Sequence, residues 1–423
     1  MSVKKIIWLC NMAPGEIRAV TGGADRGALW MDHVFQDLRK QGFKIQVLYA
    51  SAALQEGKLD EQCGYTAYQE GLPYVYMPEL EDQFGKILKK MDPDIIHIWG
   101  TEYGHTLAMV NAAEKTGYLD RVVISIQGLC SVIAKHYMEG IPVAVQKKNT
   151  FRDFVKKNSL KDQKRYFELR GKLEVEALKK VHHVIGRTDW DEACTKAVNP
   201  DVQYHFCNET LRTEFYEGCW QYKNCQKHRV FTSSAEYPVK GFHYLLEAMG
   251  IVREHFPDAT VSFAGLTPFP KKDRFGKLRT SVYSGYLDNL VKKYNLEDCL
   301  HSAGFLNADA MKQEFLQCNV FVMPSTIENS PNSLGEAMLL GVPCVASNVG
   351  GVTNLLHHKK DGFVYQSTAP YMLAYYIMEV FAMQDAAEKM GLAARQSAVM
   401  THSPERNLEK LLDIYKIVSN EWR

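Results

Sequence analysis

The chain has no long hydrophobic run, almost no net charge and no paired-cysteine spacing, and each lack removes a class of protein. No stretch approaches the ~18 apolar residues that a membrane-spanning helix needs. The first apolar run, Ile6 to Cys10 in MSVKKIIWLCNMAPG, is too short for a secretory h-region and reads as a first β-strand. Lysine and arginine (50) balance aspartate and glutamate (49), so the formal charge is +1 and no global field points to nucleic acid. Ten cysteines are present without a single C-x-x-C. The densest group is His205, Cys207, Cys219, Cys225 and His228, in which Cys219 to Cys225 is too wide for a zinc knuckle. Free thiols in a reducing, cytoplasmic compartment and no bound metal are expected. Internal repeats and low-complexity segments are absent too.

What is present is alternation. The 423 residues suggest two or three domains at roughly 100–200 residues each. Short β-type runs recur at Lys5–Cys10, Lys44–Ala50, Tyr74–Met77, Asp94–Gly100, Arg121–Gln127 and Val181–Gly186. They resume at Arg229–Ser234, Thr260–Gly265, Val320–Pro324, Val342–Ser347 and Phe363–Tyr365. Between the runs ending at Ser234 and starting at Thr260, Phe242, Leu245, Leu246, Met249, Val252 and Phe256 fall on one helix face. Strand–helix alternation predicts an α/β protein with parallel sheets covered by helices. The alternation weakens from Phe206 to Lys227, which places a domain junction there. Two doubly wound, Rossmann-like domains facing across a cleft are expected: 1–205, joined by a C-terminal helix 404–423, and 206–403.

Ligands of such sheets sit beyond the carboxyl ends of the strands. That rule selects Thr21, Gly22 and Gly23 after the first strand, Glu102, Tyr103 and His105 after another, then Gln127 and Gly128, and Arg187. In the second half it selects Lys240, Gly241 and the segment Glu328 to Glu336.

The densest signal is VFVMPSTIENSPNSLGEAMLLGVPCVASNVGG, Val320 to Gly351. A buried strand runs to Pro324, a polar turn follows, and a helix starts near Ser333 and stops at Gly341. A helix N-terminus beside a cleft offers unpaired N–H groups and partial positive charge, which suits a diphosphate. Two glutamates eight positions apart, Glu328 and Glu336, flank it, and capping requires neither.

With Glu328 and Glu336 as E-x7-E in this strand–turn–helix setting, the segment resembles the retaining glycosyltransferases of family 4, which have the GT-B fold and include bacterial polysaccharide-assembly enzymes. SSAEYPVKGFHYLLEA resembles that family's lysine–glycine turn at Lys240 and Gly241. The resemblance covers most of the chain and is strongest from Arg229 to Tyr365. It implies that Glu336 binds ribose hydroxyls and Glu328 the donor sugar. It also implies that the N–H groups of Asn332, Ser333 and Leu334 meet the diphosphate and that Lys240 neutralises the leaving phosphate. Gly22 and Gly23 would let the first loop approach that diphosphate. The donor implied is a UDP- or GDP-sugar, used without a cofactor or catalytic metal.

Two departures stand out. The family's arginine five residues before the lysine is Ala235 here, and Arg187 is the candidate substitute. The histidine that relatives carry near the donor sugar is matched by Gln127, which can hydrogen-bond a hydroxyl but cannot act as an acid or base near neutral pH. Asp92-Pro-Asp94 and Asp189-Trp-Asp191 read D-x-D, a metal-holding pattern, but the first precedes its strand and the second reads as a helix cap.

From Gln146 to Lys180 the chain is rich in lysine and arginine, interleaved with Phe151, Phe154, Val155, Tyr166, Phe167 and Leu169. Such a surface either rests on anionic lipid, which suits a polyprenyl-diphosphate-linked acceptor at the inner face of a membrane, or is a solvated helical face around a core stripe. A glycan is the other acceptor considered. A nucleotide-sugar epimerase or hydrolase on the same fold, and a non-catalytic sugar-nucleotide-binding subunit, are the competing functions.

Overall fold

Buried apolar strands pair in parallel and set the architecture. The computed structural model describes residues 4–22, 29–69, 71–270 and 280–419. Among these, the first sheet contains β1 (Lys5–Cys10), β2 (Lys44–Ser51), β3 (Glu56–Lys58), β4 (Cys63–Gln69), β5 (Ile95–Trp99), β6 (Val122–Ser125), β7 (His183–Gly186) and β8 (Gln203–Phe206). Their order is β3-β4-β2-β1-β5-β6-β7-β8, and only β3 runs antiparallel to its neighbour. Strand order reverses at β1, between β2 and β5. Ile6, Ile7, Trp8 and Leu9 on β1 are fully buried because helices cover both faces.

The second sheet contains β9 (Arg229–Thr232), β10 (Thr260–Ala264), β11 (Leu300–Gly304), β12 (Val320–Met323), β13 (Cys344–Ser347) and β14 (Phe363–Tyr365). Its order is β11-β10-β9-β12-β13-β14, parallel throughout, with the reversal between β9 and β12. The helix Phe242–His255 joins β9 to β10 and buries Phe242, Leu245, Leu246, Met249 and Val252, the face read from the sequence.

The chain divides into two units: Met1–Ala134, Tyr166–Thr210 and His402–Arg423 in one, Lys135–Arg165 and Leu211–Thr401 in the other. The expected boundary at 205/206 therefore moves to 210/211, and 135–165 leaves the first domain. Hydrogen bonds explain that transfer. Asp153 accepts from the Val282 N–H at 2.8 Å, His243 meets the Glu139 carbonyl at 3.1 Å, and the Thr326 hydroxyl donates to the His136 carbonyl at 3.2 Å. The strandless stretch after Phe206 is not a loose linker, since Leu211, Phe215, Trp220 and Cys225 lie in the core of the second unit. In the first unit the helix Pro404–Val418 covers the sheet, and Tyr415 hydroxyl bonds to Trp8 (3.3 Å) and His97 (2.7 Å).

Tyr74–Met77 is not a strand. Val75 closes a turn onto Leu72 at 2.9 Å, Pro73 and Pro78 flank the segment, and Tyr74 stacks flat on Tyr166 at 4.2 Å. The strand in this region is β4, whose CGYTAYQ sequence lacks an apolar run.

Candidate functional site

Two loops leave the second sheet on either side of its reversal point, where an α/β sheet opens a crevice for ligands. From β9 the chain runs to a 3-10 turn, Pro238–Lys240, closed by Gly241 at φ 66°. A Cβ on Gly241 would stand 1.8 Å from the Pro324 carbonyl oxygen, so only glycine lets this turn lie against the end of β12. The Thr326 N–H donates to the Val239 carbonyl at 2.8 Å and ties the two loops together. Gly350 presses on the other side: a Cβ there would lie 1.8 Å from the Glu328 carbonyl oxygen.

Clamped this way, the loops bring Lys240 and Glu328 together. Lys240 Nζ donates to Glu328 Oε1 at 2.7 Å, and Ser325 Oγ donates to the same oxygen at 2.8 Å. Among the described residues Glu328 Oε2 takes no hydrogen bond, and the Lys240 ammonium has donors to spare. The helix Asn332–Leu339 follows, with Pro331 at its N-cap, no side-chain cap and no acidic residue in its first turn. Leu334 differs from expectation: its N–H donates to the Pro331 carbonyl at 3.0 Å. Asn332 and Ser333 are half-buried at the start of the helix.

Glu336 sits one turn further in and is 4% exposed. Arg212 holds both its oxygens, Nε to Oε1 at 2.7 Å and Nη2 to Oε2 at 2.8 Å, while its guanidinium lies 4.6 Å from the Phe215 ring centre. Burial pushes the Glu336 carboxyl above its ordinary range, and the Arg212 bonds pull against that. Sequence reasoning missed Arg212. It lies in the stretch taken as a junction, and no periodicity marks it.

The remaining residues singled out from the sequence lie in the first unit. Gly22 adopts φ 71° at the end of the helix Gly15–Thr21, whereas Gly23 lies outside the described residues. Arg187, 5% exposed, donates to Glu209 Oε2 at 2.6 Å, and Gln127 donates to Glu209 Oε1 at 2.6 Å. Arg187 Nη2 also approaches Gln127 Oε1 at 3.4 Å. The arginine thus carries its charge into a local pair with Glu209, a residue the sequence reading passed over because β8, just before it, went unrecognised. Ala235, where the family has an arginine, is fully buried. Glu102 places its carboxylate against Gly100 and Gly128, and desolvation there pushes its pKa up to about 7. Beside it a hollow of about 400 Å³, counting its open mouth, is lined by Asn11, Gln69, Tyr103 and His105.

Both D-x-D pairs have structural partners. Asp92 ends a helix in the left-handed region and bonds to Arg121 and Tyr118, and Asp94 accepts from the Lys5 N–H at 2.8 Å. Asp191 completes a capping box with Thr188.

The chain and its fold have known counterparts. Residues 222–397 match the family described as "Glycosyl transferases group 1". Over 191 residues the chain is 25% identical to "Uncharacterized glycosyltransferase YqgM" of Bacillus subtilis, covering 45% of this chain and 49% of that protein. It is 25% identical over 150 residues to the amylovoran biosynthesis glycosyltransferase AmsK of Erwinia amylovora, covering 33% of this chain and 35% of that one. The chain thus spans about half or less of the length of these curated relatives. Among solved structures, sucrose-phosphate synthase from Thermosynechococcus elongatus superposes with a TM-score of 0.72 at 17% identity, covering 98% of this chain and 99% of that one. Anabaena HepE in complex with UDP-glucose superposes at 0.66 and 15% identity, covering 97% and 99%. The fold is the GT-B fold of two parallel-sheet α/β domains.

Proposed function

We propose that this chain is a glycosyltransferase that moves a sugar from a UDP- or GDP-sugar to a glycan or lipid-linked acceptor, with retention of configuration and without a metal. The observation that carries this reading is the Lys240–Glu328 pair at the reversal point of the second sheet, beside the uncapped helix Asn332–Leu339. The family match over that unit, and relatives named as glycosyltransferases, support it. HepE's complex with UDP-glucose supports a nucleotide-sugar donor.

Each residue then has a task. Glu328 keeps Oε1 on Lys240 and Ser325 and offers Oε2 to a hydroxyl of the donor sugar. Lys240 keeps one donor on Glu328 and turns the others to the diphosphate, whose negative charge grows as the sugar–phosphate bond breaks. The N-terminus of the helix Asn332–Leu339 takes the remaining phosphate charge, chiefly through Asn332 and Ser333. Glu336, held flat by Arg212, retains a lone pair on each oxygen for ribose hydroxyls. Attack comes from the face the leaving phosphate vacates, and that phosphate assists removal of the acceptor proton. Arg187 holds Glu209 and Gln127 in place within the first unit. The acceptor enters over the hollow lined by Asn11, Gln69, Tyr103 and His105.

The test is a panel of UDP- and GDP-sugars, read by thermal shift and by release of free nucleotide. A ligand at about 100 times its Kd stabilises by about 2.7 kcal/mol, which a melt resolves. Stabilisation by no nucleotide in the panel, with a folded protein, would sink the reading.

A further inference from the structure

We propose that the outward face of the short helix Phe151–Lys156, with its flanks, docks on an anionic lipid bilayer. It does not depend on which sugar the chain transfers. Four large apolar side chains within thirteen residues stand in solvent: Val143 is 60% exposed, Phe151 67%, Phe154 71% and Val155 62%. A core stripe, the alternative reading of this segment, would bury them.

The helix itself is firmly held, so the exposure is not that of a loose segment. Thr150 caps it by accepting from the Asp153 N–H at 3.1 Å. Asp153 is buried, pairs with Arg152 at 2.8 Å and accepts from Val282 at 2.8 Å. The inward side is therefore fixed by a carboxylate, and the apolar side faces out.

Charge decides the partner. Lys147, Lys148, Lys156, Lys157 and Lys161 are exposed around the apolar tips. Asp153 is the one acid between 143 and 161, and it is engaged inside. The exposed charges from 143 to 161 are thus all positive. The patch ends at the next helix, Leu160–Lys180, whose Leu160 is buried and whose Tyr166 stacks on Tyr74. Two phenylalanines and a valine on a six-residue helix form no groove for a protein segment. An interface of headgroups and acyl chains accepts apolar tips and scattered ammonium groups without shape matching.

The experiment is co-sedimentation of the full chain with vesicles of phosphatidylcholine alone or mixed with phosphatidylglycerol. Binding is expected only with phosphatidylglycerol and should weaken as salt rises. Phe151→Ser with Phe154→Ser should cut the partition by roughly tenfold or more, as should Lys147→Gln with Lys148→Gln, Lys156→Gln and Lys157→Gln. Both variants change exposed side chains, so melting temperature and nucleotide binding should stay as in the parent. No binding to either vesicle, or equal binding by parent and variants, would overturn the proposal. So would a self-association that the phenylalanine variant abolishes, since the patch would then join protein to protein.

Discussion

Arg212 grips Glu336 through both carboxylate oxygens, at 2.7 and 2.8 Å, and so opposes the burial that raises the pKa of this acid, the one proposed to bind ribose hydroxyls. Removing the arginine leaves the carboxylate buried alone. Arg212→Ala should cost about 3–5 kcal/mol of stability. Because burial raises the Glu336 pKa, the native state of this variant keeps the proton to higher pH than the unfolded chain. Its stability should therefore fall as pH rises above the ordinary carboxyl range. Its nucleotide affinity should recover over the same rise, as Glu336 ionises. Calorimetric affinities that stay independent of pH in the folded variant would contradict this role.

Glu336→Ala isolates the other partner. It should weaken nucleotide binding by about 1.5–3 kcal/mol, the usual worth of a hydrogen bond to a charged group. Unchanged affinity by calorimetry would move the ribose elsewhere.

Lys240→Ala should lower kcat by roughly 10²–10³, the size of effect that follows removal of one preorganised donor to a developing negative charge. Lys240 is only partly buried and its partner Glu328 keeps Ser325, so the melting temperature without ligand should change little. Normal turnover in this variant would remove the central claim about the site.

Glu102 gives a pH signature in the first unit. Its pKa of about 7 lies above the ordinary carboxyl value because burial penalises the charge. A raised acid favours folding below its unfolded pKa and penalises it progressively up to the native one, so the cost grows between about pH 4.5 and about 7 and then levels off. Glu102→Gln should relieve up to about 3 kcal/mol of it above neutrality and none at low pH. Denaturant melts of both proteins across that range measure the difference, and parallel curves would refute the assignment.

Turnover should survive EDTA. Asp92, Asp94 and Asp191 already bond to Arg121, Lys5 and Thr188. A large loss restored by manganese or magnesium would show that a metal takes part.

Legibility followed burial. Strands in the middle of each sheet, such as Lys5–Cys10 and Val320–Met323, are runs of apolar residues because both their faces are covered, and the sequence displays them. β8 (QYHF) and β11 (LHSAG) lie at sheet edges, where solvent permits polar residues and the signal fades. The site divides the same way. Lys240, Glu328 and Glu336 are readable because a glycine turn and a helix start surround them. Arg212 and Glu209 are single side chains whose partners lie far off in sequence or across a loop, so only the folded chain pairs them. Arg187 was correctly placed at a strand end, but its charge turned out to be spoken for by Glu209.

The helix Pro404–Val418 carries a consequence for how the molecule is made. Trp8 and His97 bond to Tyr415, which leaves the ribosome more than three hundred residues after either of them. The first sheet is therefore translated long before one of its covers exists. A nascent chain must carry an unfinished apolar wall until Tyr415 emerges, and a gene cut after residue 210 would yield a fragment with that wall permanently bare.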